Sequence, residues 1–161
     1  MRIAINVIPL KTAHKDRGVG HYTYNLLEAL KKDSFLEIQE FINFAEVKSA
    51  DVIHYPWFDC FFHTLHRKKT IPTVVTIHDV IPLKFKEHYP VGLKGKINFY
   101  LQKSALKKCS AIITDSKASQ KDIVNFLKIS QEKITVIPLA ADKDFKILSD
   151  AQLLRTKRKY N

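Results

Sequence analysis

Residues 73–77 constrain the fold of this chain most strongly, because they read TVVTI and contain only β-branched side chains. An unbroken run of this kind is typical of a strand that is buried on both faces, as in a parallel sheet. Pro72 can open this strand but could not lie in its middle, and Pro82 is expected to block a helix after it. His78 and Asp79 follow the run directly. Because ligands gather at the carboxyl ends of parallel strands, this pair is a candidate functional site.

Short apolar segments alternate with helical patterns along the rest of the chain. Strands are predicted near residues 2–8, 35–44, 51–55, 73–77, 111–114 and 134–137, and helices at 21–32, 91–108 and 119–128. This alternation predicts an α/β fold with a doubly wound parallel sheet. The last helix is expected to begin at a capping box of Ser119 and Asp122. In the second helix, the apolar residues at helical spacing are predicted to face the core: Leu93, Ile97, Tyr100, Leu101, Ala105 and Leu106.

Composition limits the class of protein and its partners. The chain has 161 residues, 45% hydrophobic and 27% charged, which fits one globular domain. No apolar run approaches the ~20 residues that cross a bilayer, and two cysteines fit reduced thiols, so we expect a cytoplasmic chain. The formal net charge of +11 favours anionic partners: phosphate-bearing ligands, lipid surfaces or nucleic acid.

A glycine pair lies between the first predicted strand and the helix that follows it. Gly18, Val19 and Gly20 lead directly into the helix at 21–32. Glycines at this position let backbone N–H groups approach a phosphate at the helix N-terminus. A simple tight turn explains the same residues equally well.

Three potential metal ligands recur at three-residue intervals, namely Cys60, His63 and His66. No carboxylate supports them, and the spacing drifts around a helical stripe. We therefore expect no metal site.

Residues 84–108 form a strongly basic segment. They contain seven lysines and one acid, Glu87, for a net charge of +6. A solvated helix face and a surface that contacts an anionic membrane or acceptor are both open interpretations. The lysines of the candidate surface are Lys84, Lys86, Lys94, Lys96 and Lys103.

Six segments together resemble a known family. RIAINVIPL, GVGHYTYNLLEAL, DVIHYP, VVTIHDVIPLKF, AIITDSKASQKDI and EKITVIPLAADKDF occur in the order and spacing of the N-terminal domain of family 4 glycosyltransferases. The resemblance implies one half of a GT-B enzyme, with two Rossmann-like domains facing a cleft. Residues 1–145 would form the acceptor-binding domain, and residues 146–161 a basic linker toward a C-terminal donor-binding domain that the chain lacks.

The resemblance also implies an activity. It is the retaining, metal-independent transfer of a hexose from a sugar nucleotide, such as a GDP- or UDP-hexose, to a glycan or lipid-linked acceptor, with no cofactor. His78 would be the catalytic residue that contacts the transferred sugar. The residues expected to bind substrate or phosphate are Gly18, Val19, Gly20, Tyr22, Asp79, Ser116 and Lys121.

Three functions of different classes therefore compete. The first is the acceptor half of a glycosyltransferase, expected to be inactive alone and peripheral at the inner face of a membrane. The second is a non-catalytic binding or scaffold module that works with a partner subunit. The third is a nucleic-acid binder, which charge alone suggests; no recognised motif supports it, so we expect no nucleic-acid partner.

Overall fold

The computed structural model describes residues 1–141, 145 and 147–160. Within this part of the chain, six strands form one sheet: β1 (Arg2–Asn6), β2 (Glu37–Phe41), β3 (Val52–Tyr55), β4 (Thr73–Thr76), β5 (Ala111–Thr114) and β6 (Ile134–Val136). The order across the sheet is β2-β1-β3-β4-β5-β6, and every neighbouring pair is parallel. The fold is therefore the α/β, Rossmann-like parallel sheet that the alternating pattern predicted.

Helices connect these strands and cover the sheet. They are α1 (Ile8–Lys11), α2 (Gly18–Leu30), α3 (Ile81–Lys84), α4 (Leu93–Lys107), α5 (Lys117–Asp122) and α6 (Asp150–Tyr160). A π-helical segment, Ile123–Leu127, extends α5, and short 3₁₀ turns span Phe44–Glu46 and Gln131–Lys133. Among the described residues, none of these helices has the length and apolar character needed to cross a membrane.

Both faces of the sheet are buried, and the alternation along β1 demonstrates it. Ala4 packs into the larger core cluster, whereas Ile3 and Ile5 pack into a smaller cluster with Leu27 of α2. Successive side chains of a strand point to opposite faces, so helices must cover the sheet on each side. In the central strand, Val75 is completely buried. The predicted doubly wound arrangement is confirmed.

The expected effect of Pro82 was wrong. Pro82 lies in the first turn of α3, Ile81–Lys84. A proline is tolerated there because the first N–H groups of a helix have no partner within it. The predicted end of the first strand was also wrong, because β1 ends at Asn6 and not at residue 8. Val7 leaves the extended conformation, with φ −108° and ψ 17°, and is the N-cap of α1.

The predicted inward face of α4 was wrong over its first half. Leu93, Ile97 and Tyr100 are 76%, 53% and 71% exposed, whereas Gln102 is buried. The Oε1 atom of Gln102 accepts hydrogen bonds from two backbone N–H groups of the connection after β3, those of Thr64 and Leu65, at 3.0 and 2.8 Å. A polar side chain with partners of this kind can take a core position that the apolar pattern assigned to others.

The N-terminus of α5 also differs from the prediction. Ser116, not Ser119, is the N-cap, and its hydroxyl accepts a hydrogen bond from the backbone N–H of Ser119 at 3.1 Å. The helical region ends near residue 128 as expected, because Lys128 has a left-handed backbone conformation with φ 57°.

The expected domain limit at residues 145–146 involves residue 146, which lies outside the described residues.

Candidate functional site

The candidate site lies where three neighbouring strands end. His78 follows β4, Asp115 follows β5 and Pro56 follows β3. The His78 Nδ1 atom lies 2.7 Å from Asp115 Oδ2, and its Nε2 atom lies 3.3 Å from the backbone oxygen of Pro56. Both partners are acceptors, so a neutral imidazole can donate to one of them and an imidazolium to both. The short contact to the carboxylate is the one that fixes the ring.

Tyr22 of α2 also contacts this histidine. Its ring meets the His78 imidazole edge-on, with centroids 4.7 Å apart and planes at 85°. The Tyr22 hydroxyl lies 3.2 Å from the hydroxyl of Thr76 at the end of β4. Burial raises the pKa of Tyr22, its hydrogen bond with Thr76 opposes the rise, and the charge of Asp115 adds to it. Tyr22 is therefore a neutral phenol at neutral pH.

A buried histidine continues this network beneath the site. The Nε2 atom of His54, in β3, lies 2.9 Å from the Thr76 hydroxyl. Burial lowers the pKa of His54 to about 4, so the ring is neutral at neutral pH. Hydrogen bonds and ring contacts thus run from His54 through Thr76 and Tyr22 to His78 and Asp115.

Three polar atoms at this edge are buried and have no hydrogen-bond partner among the described residues. They are Asn6 Oδ1 at the end of β1, Asp115 Oδ1 and the indole Nε1 of Trp57. The side chains of His78 and Asp115 are nevertheless 20% and 18% exposed, so the pair can be reached from solvent. A buried polar group left unpaired costs about 1–3 kcal/mol. Asp115 Oδ1 itself is covered from solvent, so a ligand hydroxyl reaches this acceptor only after the atoms over it move aside.

The glycine segment is helical, not a loop as predicted. Gly18, Val19 and Gly20 form the first turn of α2, after Arg17 as N-cap. A Cβ added to Gly20 would lie 2.3 Å from a backbone oxygen of the preceding loop, whereas one added to Gly18 would meet nothing within 4 Å. Close packing therefore requires the second glycine. The N–H groups of this turn are still oriented as a helix N-terminus presents them.

The remaining predicted residues have local roles in the structure. Asp79 is exposed, and its Oδ1 accepts a hydrogen bond from the N–H of Ile81 at 2.9 Å at the start of α3. Ser116 caps α5. Both follow their strands at the same edge as His78, whereas Lys121 is exposed further along α5 and no described contact joins it to the histidine.

Sequence reasoning assigned no role to three members of the network: His54, Thr76 and Asp115. Asp115 did carry a signal, because it directly follows a short apolar strand at the same sheet edge as His78. Thr76 carried none, since a threonine within a β-branched run is indistinguishable from a packing residue.

The three potential metal ligands lie in different surroundings: Cys60 is buried in the core, His66 is partly buried and His63 is exposed. Burial raises the pKa of the Cys60 thiol to about 12, so a thiolate ligand is disfavoured there. The His66 ring stacks on Phe44 with centroids 4.1 Å apart. In the part of the chain that the structure describes, no three His, Cys, Asp or Glu side chains are grouped to hold a metal ion.

The family model for glycosyltransferase family 4 matches residues 32–145, which is more than half of the chain. The chain belongs to glycosyltransferase family 4. This membership confirms the family that the six sequence segments predicted. The matched range contains His54, Thr76, His78 and Asp115 but not Tyr22. A comparison with curated proteins found no match.

Proposed function

We propose that this family 4 chain is the acceptor-binding half of a retaining hexosyltransferase. The observation that carries the proposal is the His78–Asp115 pair at the carboxyl edge of the sheet, where the imidazole is held at 2.7 Å by a carboxylate whose second oxygen has no partner among the described residues. Family membership gives the reaction class, and the resemblance of the six segments supports retention of configuration. A separate donor-binding domain supplies the sugar nucleotide, a GDP- or UDP-hexose.

His78 acts by orienting the transferred sugar. In retaining transfer, positive charge develops on the sugar ring and negative charge on the leaving phosphate, so a hydrogen bond to a sugar hydroxyl mainly positions the reacting carbon. The 3.3 Å contact between His78 Nε2 and Pro56 O is at the long end for an N–H···O bond. A sugar hydroxyl can share or replace that contact while Asp115 keeps the ring in place.

Asp115 has two functions in this proposal. Its Oδ2 accepts from His78, and its Oδ1, which is buried and unpaired among the described residues, accepts from a second hydroxyl of the same sugar once the atoms that cover it move aside. One donor and one acceptor at fixed positions define the orientation of a sugar better than either alone. Tyr22 supports the pair from the side by its edge-on contact with the imidazole.

The reaction takes place at the cytoplasmic side, with the protein peripheral at the inner face of a membrane when the acceptor is lipid-linked. The transfer needs no metal ion in this proposal, because binding and orientation come from the histidine, the carboxylate and the donor-binding domain. Gly18 to Gly20 contribute the N-terminal N–H groups of α2 to a phosphate of the donor.

The test is a transfer assay on the polypeptide encoded by the complete reading frame. UDP- and GDP-hexoses are each offered with a soluble glycan and with a lipid-linked acceptor, and NMR determines the anomeric configuration of the product. The proposal predicts a retained configuration and strong loss of transfer in His78→Ala, with His63→Ala as the exposed control. Inverted product, or full activity in His78→Ala, would contradict it.

A further inference from the structure

A groove with a volume of about 720 Å³ lies beside α4, outside the His78 site. Four separate segments form it: the connection after β3, α3 with the residues that follow it, α4, and the π-helical segment. Its volume is in the range of sites that bind small molecules. Because α3 begins three residues after His78 and the π-helical segment follows Asp115 along the chain, the groove borders the segments that leave the candidate site.

The wall of the groove is apolar and aromatic. Phe61, Phe99 and Phe126 line it, and each is partly buried against the larger core cluster. The rings of Phe61 and Phe99 lie 6.1 Å apart at 44°. These rings come from three segments, so the groove is part of the packed fold and not a gap within one loop. Such a wall accommodates a hydrocarbon chain.

Three lysines also line the groove, namely Lys86, Lys96 and Lys103, and no acidic residue lines it among the described residues. The Lys103 ammonium lies 5.5 Å from the centroid of the Phe99 ring and 3.5 Å from the backbone oxygen of Phe126. Lys84 differs, because it forms an ion pair with Asp122 at 3.0 Å. Of the predicted basic surface, these three lysines are therefore the ones that a groove ligand would meet.

The face of α4 beside the groove is apolar and exposed. Leu93, Ile97 and Tyr100 are all more than half exposed, and Tyr100 also lines the groove. Large apolar side chains spaced along one face of a helix, next to lysines, are typical of a surface that meets a lipid. They extend the apolar wall outward from the groove.

We propose that this groove binds one molecule of a long-chain lipid phosphate. Its phosphate contacts the three lysines, and its chain lies along Phe61, Phe99 and Phe126. A phosphate monoester carries close to two negative charges and three acceptor oxygens, which suits three ammonium groups better than a single carboxylate does. Within the proposed function, on which this last step rests, the acceptor is a glycan joined to such a lipid through a diphosphate, which keeps two negative charges.

The test is calorimetric titration of the 161-residue chain with decyl phosphate. The ligand is kept below the concentration at which it forms micelles, so that single molecules bind. Inorganic phosphate and decyl maltoside are the comparison ligands, since one lacks the chain and the other lacks the charge. We expect saturable one-to-one binding of decyl phosphate, at least tenfold tighter than either comparison ligand. Equal binding of inorganic phosphate would reduce the groove to a simple anion site and overturn the proposal.

A pair of double variants tests the groove itself. Lys96→Gln with Lys103→Gln removes two lining charges, and Lys94→Gln with Lys107→Gln removes two charges from the same helix outside the groove. The first double variant should weaken decyl phosphate binding at least tenfold, and the second by less than twofold. Equal weakening in the two double variants would show general charge attraction and overturn the proposal. Binding of the chain to anionic vesicles without binding of monomeric decyl phosphate would do the same.

The two proposals can fail separately. If the complete enzyme transfers hexose to a soluble glycan while the chain does not bind decyl phosphate, the lipid groove is wrong and the proposed function stands. If decyl phosphate binds as expected while no sugar is transferred to any acceptor, the lipid groove stands and the proposed function is wrong.

Discussion

The Nδ1 atom of His78 lies 2.7 Å from the Oδ2 atom of Asp115, although 37 positions separate the two residues in the chain. The parallel pairing of β4 with β5 brings them together, with Thr76 aligned to Ile113. His78 lies two positions after Thr76, and Asp115 lies two positions after Ile113, so the sheet register sets the separation of His78 and Asp115. A pair fixed by sheet register can hold its geometry without support from a mobile loop.

Asp115→Asn should lower kcat/KM of the complete enzyme about 10-fold or more, because a hydrogen bond to a charged group contributes about 1.5–3 kcal/mol. The amide keeps the shape of the carboxylate but loses its charge and one acceptor oxygen. Steady-state kinetics measure the change, and Asp150→Asn, at the exposed start of α6, is the matched control. Equal activity of both variants would mean that Asp115 is not part of the functional site.

His78→Ala should lower kcat/KM by roughly 10²-fold, about 2.7 kcal/mol, and leave the melting temperature of the 161-residue chain nearly unchanged. The reason is that its ring orients the sugar, while the sheet beneath it is held by other contacts. Kinetics and melting are measured on the same variant. If the chain unfolds along with the loss, His78 is structural and the assignment fails.

The double variant of His78→Ala and Asp115→Asn tests whether the pair works as one unit. If Asp115 acts mainly through the imidazole, its substitution should cost much less once His78 is gone, so the two effects should not add. Additive losses in kcat/KM would mean that the two residues contribute independently, contrary to the contact at 2.7 Å.

The sheet could be predicted from sequence because burial on both faces requires apolar runs, and those runs mark strands directly. Residues 73–77 are the clearest case: Val75 and Ile77 are both completely buried. The inward face of α4 could not be predicted in the same way. Gln102 is buried because it accepts hydrogen bonds from the N–H groups of Thr64 and Leu65, and that contact depends on a connection 37 residues earlier.

The candidate site was predictable at the level of the sheet edge but not of its contacts. Strand ends placed His78 and Asp115 at one edge, yet only the register of β4 and β5 brings their side chains within hydrogen-bond distance. The hydroxyl of Thr76 was not predictable at all. Its role depends on Tyr22 and His54 reaching it from a helix and a neighbouring strand.

Gly20→Ala should destabilise the chain, whereas Gly18→Ala should not. An added methyl at Gly20 lies 2.3 Å from the carbonyl oxygens of His14 and Lys15, which are backbone atoms that must then move. We expect a loss of about 1–3 kcal/mol in the free energy of unfolding, typical of overpacking.

At Gly18 the methyl meets open space, so the restriction of the unfolded chain should give a neutral effect or a gain of up to about 1 kcal/mol. Urea unfolding of both variants measures the difference. A destabilised Gly18→Ala with a neutral Gly20→Ala would contradict the close approach of the loop to the second glycine.

His54 should make the chain less stable as the pH falls from about 6.5 to about 4. Its folded pKa is about 4 because of burial, whereas an unfolded histidine titrates at its ordinary value of 6.5. Above pH 6.5 both states are neutral at this residue. Between the two values the unfolded state takes up a proton and the folded state does not, so unfolding is favoured by up to about 3 kcal/mol.

The measurement is the free energy of unfolding in urea at pH 7.5, 6, 5 and 4, for the wild type and for His54→Gln. Glutamine can still hydrogen-bond to the Thr76 hydroxyl but does not titrate, so its stability should fall less steeply over this range. Because every other titrating group is shared, the difference between the two curves isolates His54. Parallel curves for the two proteins would mean that His54 accepts a proton in the folded state as readily as in the unfolded chain, contrary to its burial at the hydroxyl of Thr76.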